Sequence, residues 1–250
     1  MRTQWGTATH AGGRRTANED AFLAQPPVFA VADGMGGHAR GDMASQTAVA
    51  VLSEVARQAG DAPARAAVQD AVQRAMTEAA DRIRRTMAED ARGAAVQDAV
   101  AGTTVAGVVL TEQDGRPHWL VLNVGDSRVY RLTEGALEQV SVDHSLVQEM
   151  VDAGALSRQD ARVHPQRNVI TRAVGTDGEV EVDFWTVPVR AGDRYLLCTD
   201  GLLGELDEEE IATVLHAEAD PEQAAATLVE RAVAGTADDN VTVVVVDAAA

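Results

Sequence analysis

Cysteine is almost missing from this chain. Cys198 is the only one in 250 residues, so no intrachain disulfide can form. It lies in the apolar run Arg194 to Cys198, where a free cysteine packs as a small hydrophobe rather than serving as a reactive thiol. Aromatic residues make up only 3%, so the core must be built from Ala, Val and Leu. Basic residues are outnumbered, 21 against 39 acidic ones, for a formal net charge of -18. Such a surface repels nucleic acid and anionic lipid, and no basic patch large enough for a polyanion is present. There is no apolar run of the ~18 residues that a membrane span needs. Met1 to Gly6 lacks the apolar core of a secretory signal, so a cytoplasmic location is expected. Repeats and linkers are also absent, which points to one domain over residues 1–250.

Hydrophobic residues reach 46%, enough for a sizeable buried core. Residues 3–9 and 28–32 read as strands. Over 41–59 the stripe Ala44, Ala48, Val51, Leu52 and Val55 has helical spacing. A second helix is expected to open at Pro63 and run to about Asp90, with Val68, Val72, Ala75, Ala79, Ile83 and Met87 on one face. From Gly102 the period changes. Thr103 to Leu110, His118 to Val124, Val129 to Leu132 and Leu137 to Val140 read as a meander, with turns at Asp114-Gly115 and Glu134-Gly135. Residues 143–168 break the pattern with short polar helices, one over 145–153 and another opening at Ser157, as a surface flap beside the strands would. Strands resume at 169–172, 180–187 and 194–198. Helices follow at about 207–216 and 221–234. The last run, Val241 to Val246, is continuously apolar and so a central strand. The fold class expected is α+β: two antiparallel β-sheets packed as a sandwich with helices on both outer faces.

Four acidic residues sit where such strands end. They are Asp33 in Asp33-Gly34-Met35-Gly36-Gly37-His38, Asp126 in Gly125-Asp126-Ser127-Arg128, Asp200 in Thr199-Asp200-Gly201, and Asp239 in Asp238-Asp239-Asn240-Val241. Carboxylates at the tips of separate strands can converge, and they repel one another unless cations lie among them. Hard oxygen donors suit Mg²⁺ or Mn²⁺ rather than Zn²⁺. Glu19 and Asp20 form another acidic pair at a strand start, with Arg14 and Arg15 just upstream; taken alone, these are ordinary surface charges. His10, His118, His144, His164 and His216 lack the paired spacing of a metal site and read as surface or strand residues.

The ordered set is more specific than any one motif. Arg15, Glu19-Asp20, Asp33-Gly34-Met35-Gly36-Gly37-His38, Gly102-Thr103-Thr104, Gly125-Asp126-Ser127-Arg128, His164-Pro165-Gln166-Arg167, Thr199-Asp200-Gly201 and Asp239-Asn240-Val241-Thr242 follow one another. In this the chain resembles the metal-dependent protein phosphatases of type 2C, and their bacterial Ser/Thr phosphatases in particular, from about residue 5 to 247. The resemblance implies hydrolysis of phosphoserine and phosphothreonine by a metal-activated water, without a phosphoenzyme. It implies two core Mn²⁺ or Mg²⁺ ions: Asp33 bridges them, the Gly34 carbonyl binds one, and Asp200 and Asp239 hold the other. Asp126 with Asp200 would take a third ion. Arg15 would grip the substrate phosphate. Glu19, Asp20, Thr199 and Asn240 would support the ligands. Phosphoproteins, including Ser/Thr kinases and their substrates, are the partners implied, and a monomer is expected.

Some members carry a His directly after the Asp-Gly pair as a candidate general acid. Here that position is Met35, and His38 is not assigned the role. Two other readings stay open. One is a regulatory binding module that keeps the fold without activity, against which the intact Asp33, Asp200 and Asp239 argue. The other is a phosphatase devoted to a single regulatory phosphoprotein.

Overall fold

A computed structural model describes residues 2–13, 15–36, 40–60, 63–93, 100–176, 178–235 and 238–249. The β-branched runs pair into two antiparallel sheets. One has the order β1 (Arg2–His10), β11 (Val241–Ala249), β10 (Arg194–Cys198), β7 (Arg128–Thr133), β8 (Ala136–Gln139). The other runs β2 (Asp20–Gln25), β3 (Val28–Met35), β5 (Val105–Gln113), β6 (Arg116–Val124), β9 (Asp183–Pro188), with β4 (Gly102–Thr103) pairing beside β3. The hairpins turn where the sequence places them. Asp114 and Gly115 take φ of 53° and 73°, and Glu134 and Gly135 take 50° and 85°. Paired positive φ values give a tight turn whose twist matches that of its strands.

Strand β11 shows why a central strand is apolar throughout. Val243 and Val245 face the helices, while Val244 and Val246 face the opposite sheet. Both faces are buried, so alternation disappears. The scarce aromatics are spent between the sheets, where Phe29, Trp119 and Tyr195 stack in series at centroid separations of 6.5 and 5.2 Å. Helices α1 (Gly41–Ala59) and α2 (Arg65–Gly93) bury their Ala/Val stripes against Ala30, Ala32, Leu120 and Leu122. Helices α6 (Glu208–Ala217) and α7 (Pro221–Ala234) cover the other sheet through Ile211, Val214, Ala224 and Leu228. The expected sandwich with helices on both outer faces is what forms.

Three expectations need correction. Helix α2 starts at Arg65, not Pro63, because Pro63 and Ala64 lie along β5: the Glu112 N–H donates to the Pro63 carbonyl at 2.9 Å, and Ala64 bridges Glu112. Residues 169–172 are not a strand. Their backbone joins the root of the flap through Leu146 N–H to Val169 O and Thr171 N–H to His144 O, both 2.9 Å. The strand expected from Val180 begins only at Asp183. Before that the Gln73 side chain takes the ladder's place, donating to Val180 O at 2.7 Å and accepting from Val182 N–H at 3.3 Å. The flap itself contains α3 (Leu146–Asp152) and α4 (Arg158–Ala161), capped by Ser145 and Ser157 as their sequence suggests.

Candidate active site

Both sheets deliver carboxylates to one end of the sandwich. Asp33 lies near the end of β3, directly opposite Asp20 at the start of β2. Asp126 follows β6 after the single residue Gly125. Asp200 follows β10 and opens the four-residue helix α5 (Asp200–Leu203). Asp239 and Asn240 immediately precede β11.

Short hydrogen bonds fix these tips. The Asp33 N–H donates to Thr104 Oγ1 at 3.1 Å, and its carbonyl accepts from Thr103 Oγ1 and Thr104 N–H, each at 2.9 Å. Thr199 Oγ1 donates to Asp20 Oδ2 at 2.9 Å and accepts from Thr242 N–H at 3.0 Å, tying β2, β10 and β11 together. Asn240 is a second tie. Its Nδ2 donates to the carbonyls of Ala11 and Ala17 at 2.9 and 3.0 Å, and its Oδ1 accepts from Glu19 N–H at 2.8 Å. The Glu19 carbonyl in turn accepts from Ser45 Oγ at 2.6 Å and Gly34 N–H at 3.2 Å. Gly34 is required by space: a Cβ there would lie 2.0 Å from the Gly41 carbonyl oxygen. Two of the expected supporting residues, Thr199 and Asn240, thus anchor the tips directly.

The electrostatics of the cluster are unfavourable for carboxylates alone. Asp33 holds its proton well above the usual range, through burial first and then the charges of Asp200, Asp20 and Asp126. Asp126 is pushed up to about 8 by burial and by Asp200 and Asp143. Asp20 is pushed up to about 7 by burial, against hydrogen bonds from Thr242 and Thr199. Asp200 is raised by burial and Asp239. Asp33 keeps some contact with solvent, yet the surrounding protein removes most of its hydration. Arg15 does not reach the middle of this group; its Nη2 donates to Asp239 Oδ2 at 2.9 Å, with both side chains about half exposed.

These residues fit hard divalent cations. The donors are oxygens, and one oxygen each of Asp20 and Asp200 is buried with no hydrogen-bond partner. Among the described residues no three acidic, histidine or cysteine side chains already close into a cage. The Asp200 charge bears on Asp33, and Asp239 is engaged by Arg15. Beside the cluster lies a cavity of about 1100 Å³, lined by Asp126, Asp200 and Asp239 on one side and by flap residues Val147, Arg158 and Arg167 on the other. Arg14, Gly37 and His38 lie outside the described residues.

The raised carboxyls make stability depend on pH. Each raised carboxyl prefers its neutral form in the fold, so its contribution is full below the unfolded pKa near 4 and is lost as pH rises through the folded value. For Asp20 and Asp126 that loss runs from about 4 and is complete near about 7 and about 8. Cations favour the ionised form. The chelated protein is therefore expected to melt at a lower temperature at pH ~8.5 than at pH ~6, and Mn²⁺ is expected to raise Tm more at the higher pH. Differential scanning fluorimetry checks this, and an equal Mn²⁺ effect at both pH values would speak against it.

The sequence model of Protein phosphatase 2C matches residues 9–239. The chain belongs to the protein phosphatase 2C family. This phosphatase is 34% identical to the serine/threonine phosphatase stp of Listeria monocytogenes over 88% of its own length and 84% of that protein's. It is 39% identical to the serine/threonine protein phosphatase PstP of Mycobacterium tuberculosis, over 93% of its length but 42% of the longer relative. The crystal structure of a PstP catalytic domain with two manganese ions superposes with a TM-score of 0.81 at 32% identity, covering 99% of both chains.

One residue of the phosphatase was misread from sequence. His144 is buried, not a surface or strand residue, and it bonds to Gly125, next to Asp126. Its neighbours Asp143, which receives both Nε and Nη2 of Arg128, and the cap Ser145 were the available signal. A histidine between a buried acid and a helix cap has little room to reach solvent.

Proposed function

We propose that this end of the sandwich hydrolyses phosphoserine and phosphothreonine esters of proteins with the help of two Mn²⁺ or Mg²⁺ ions. Asp33, the Gly34 carbonyl, Asp200 and Asp239 would hold the pair, and Asp126 with Asp200 would hold a third. The convergence of Asp20, Asp33, Asp126 and Asp200 from separate strand ends, each made costly by desolvation and neighbouring charge, with Asp239 beside them, carries this reading. Bound there, the cations would lower the pKa of a coordinated water and offset charge on the phosphoryl oxygens.

The chain's own residues supply the rest. Arg15 is half exposed beside Asp239, so its guanidinium can swing to two phosphate oxygens. Thr199 and Asn240 keep the carboxylate tips in register, and Glu19 and Asp20 line the same end. Cys198 offers no nucleophile: it is fully buried and burial pushes its thiol up to about 12. The flap forms the outer wall of the cavity and would meet the phosphoprotein, within one catalytic domain spanning 1–250. Mn²⁺-dependent release of phosphate from a panel of phosphopeptides tests the activity. Exchanging residues 143–168 is expected to change peptide preference more than hydrolysis of a small aryl phosphate, and equal losses on both would remove the flap from selection.

Arg15→Ala is expected to weaken phosphate-ester use by about 1.5–3 kcal/mol, the worth of a charged hydrogen bond. Mn²⁺ affinity is expected to stay near wild type in calorimetry. A collapse of Mn²⁺ binding would mean that Arg15 serves the cations instead.

No helix among the described residues is long and apolar enough to cross a membrane. We place the enzyme in the cytoplasm as a monomer, acting on Ser/Thr kinases and their substrates. Sedimentation of a dimer would refute the first part, and inertness toward autophosphorylated kinases the second.

A further inference from the structure

His144 stands at the root of the flap and is 7% exposed. Both ring nitrogens are engaged, in opposite senses. Gly125 N–H donates to Nδ1 at 3.0 Å, so Nδ1 carries no proton. Nε2 must then carry it, and it donates to Asp183 Oδ2 at 3.2 Å. Asp183 is held in turn by Arg172 Nη1 at 2.7 Å. The backbone repeats the link, since His144 N–H donates to the Gly125 carbonyl at 2.9 Å. Both backbone polar groups of Gly125 thus engage His144, and its carbonyl also accepts from Asn123 Nδ2 at 2.9 Å.

Gly125 has little freedom of its own. Its φ is +103°, and a Cβ would lie 2.5 Å from the Thr104 methyl carbon. Thr104 is itself bonded to Ser127 through hydroxyls 2.6 Å apart. Asp126 sits between these two fixed residues, so its direction follows from theirs. On the flap side, Asp143 and Ser145 flank the imidazole; Asp143 receives Arg128 and Gln139, and Ser145 caps α3. The burial that removes ring hydration lowers the His144 pKa, in keeping with a neutral ring.

We propose that His144 is a positioning residue: as the Nε2–H tautomer it fastens Gly125 to the flap root and to Asp183, and so aims the Asp126 carboxylate at its cation. This rests on the reading of Asp126 as a ligand. A group that orients a ligand through the backbone acts on cation affinity as partners of metal ligands generally do, by about 10–100-fold.

The test compares His144→Ala, His144→Asn and His144→Gln with Asp126→Ala. Mn²⁺ titration by calorimetry is expected to show the weakest ion lost or weakened at least about ten-fold in His144→Ala, with the two tighter ions unchanged. On an aryl phosphate, kcat should fall while KM holds. His144→Asn should recover most of the loss, because its amide oxygen can accept the Gly125 N–H. His144→Gln, whose longer amide reaches toward Asp183 instead, should recover less. Should the Ala variant fail to fold, the Asn and Gln pair decides. Heteronuclear NMR of the wild-type ring should show Nδ1 bare and Nε2 protonated; a proton on Nδ1 overturns the proposal. Wild-type cation affinities and kcat in His144→Ala, or Gln equal to Asn, also overturn it. An Asp126→Ala enzyme that titrates like wild type would sink the reading of Asp126 first, and the proposal with it.

Discussion

Asp239→Asn is expected to lower turnover on a phosphopeptide by at least about 100-fold, because water is no longer activated without a firmly held cation. The substitution keeps shape and removes charge. Its cost to the fold should be small: the Arg15 pair it breaks is half exposed, and such pairs contribute about 0–1 kcal/mol. Nearly unchanged Tm beside collapsed kcat would separate chemistry from folding. Chelation of the wild-type enzyme should abolish activity, and Mn²⁺ should restore it. Full activity in excess chelator would eliminate cation chemistry from this site altogether.

The second large effect concerns Asp126. Asp126→Ala should leave two Mn²⁺ ions bound and reduce turnover about 10–100-fold. The third position has fewer protein carboxylates and should bind more weakly, since affinity rises with ligand charge. The fold should tolerate the change. Burial and Asp200 push the Asp126 carboxyl up to about 8, so at and above that pH its charge is a burden to the cation-free protein. The chelated variant should therefore melt no lower than chelated wild type at pH ~8.5. Wild-type turnover in the variant would remove a third ion from the mechanism. Loss of all Mn²⁺ binding would instead make Asp126 part of the main pair.

How much of this was legible before the fold was known differs from residue to residue. Helix α1 and strand β10 have the limits that periodicity suggests, because an Ala/Val stripe at helical spacing and a short apolar run each satisfy only one geometry. Val169 to Arg172 looked equally strand-like and is not a strand. Its β-branched residues have the right propensity, but its backbone partners are those of the flap root. Propensity describes a residue's own preference and says nothing of which edge is free.

The same boundary divides the site. Asp33, Asp126, Asp200 and Asp239 were visible because each lies at or beside a strand end among small turn residues, and local chemistry marks such a place. Local chemistry also settled the turns at Asp114-Gly115 and Glu134-Gly135, the caps at Ser145 and Ser157, and a core without disulfides. Only the tertiary structure decided that Arg15 rests on Asp239, 224 residues away, and that Thr199 reaches Asp20 across 179. It alone set His144 against Gly125 and the flap across the cavity from the carboxylates. Hydrogen bonds and charges act over a few ångströms, and chain distance does not encode that proximity. It arises when two sheets, each specified locally, are forced face to face by the apolar surfaces they must bury.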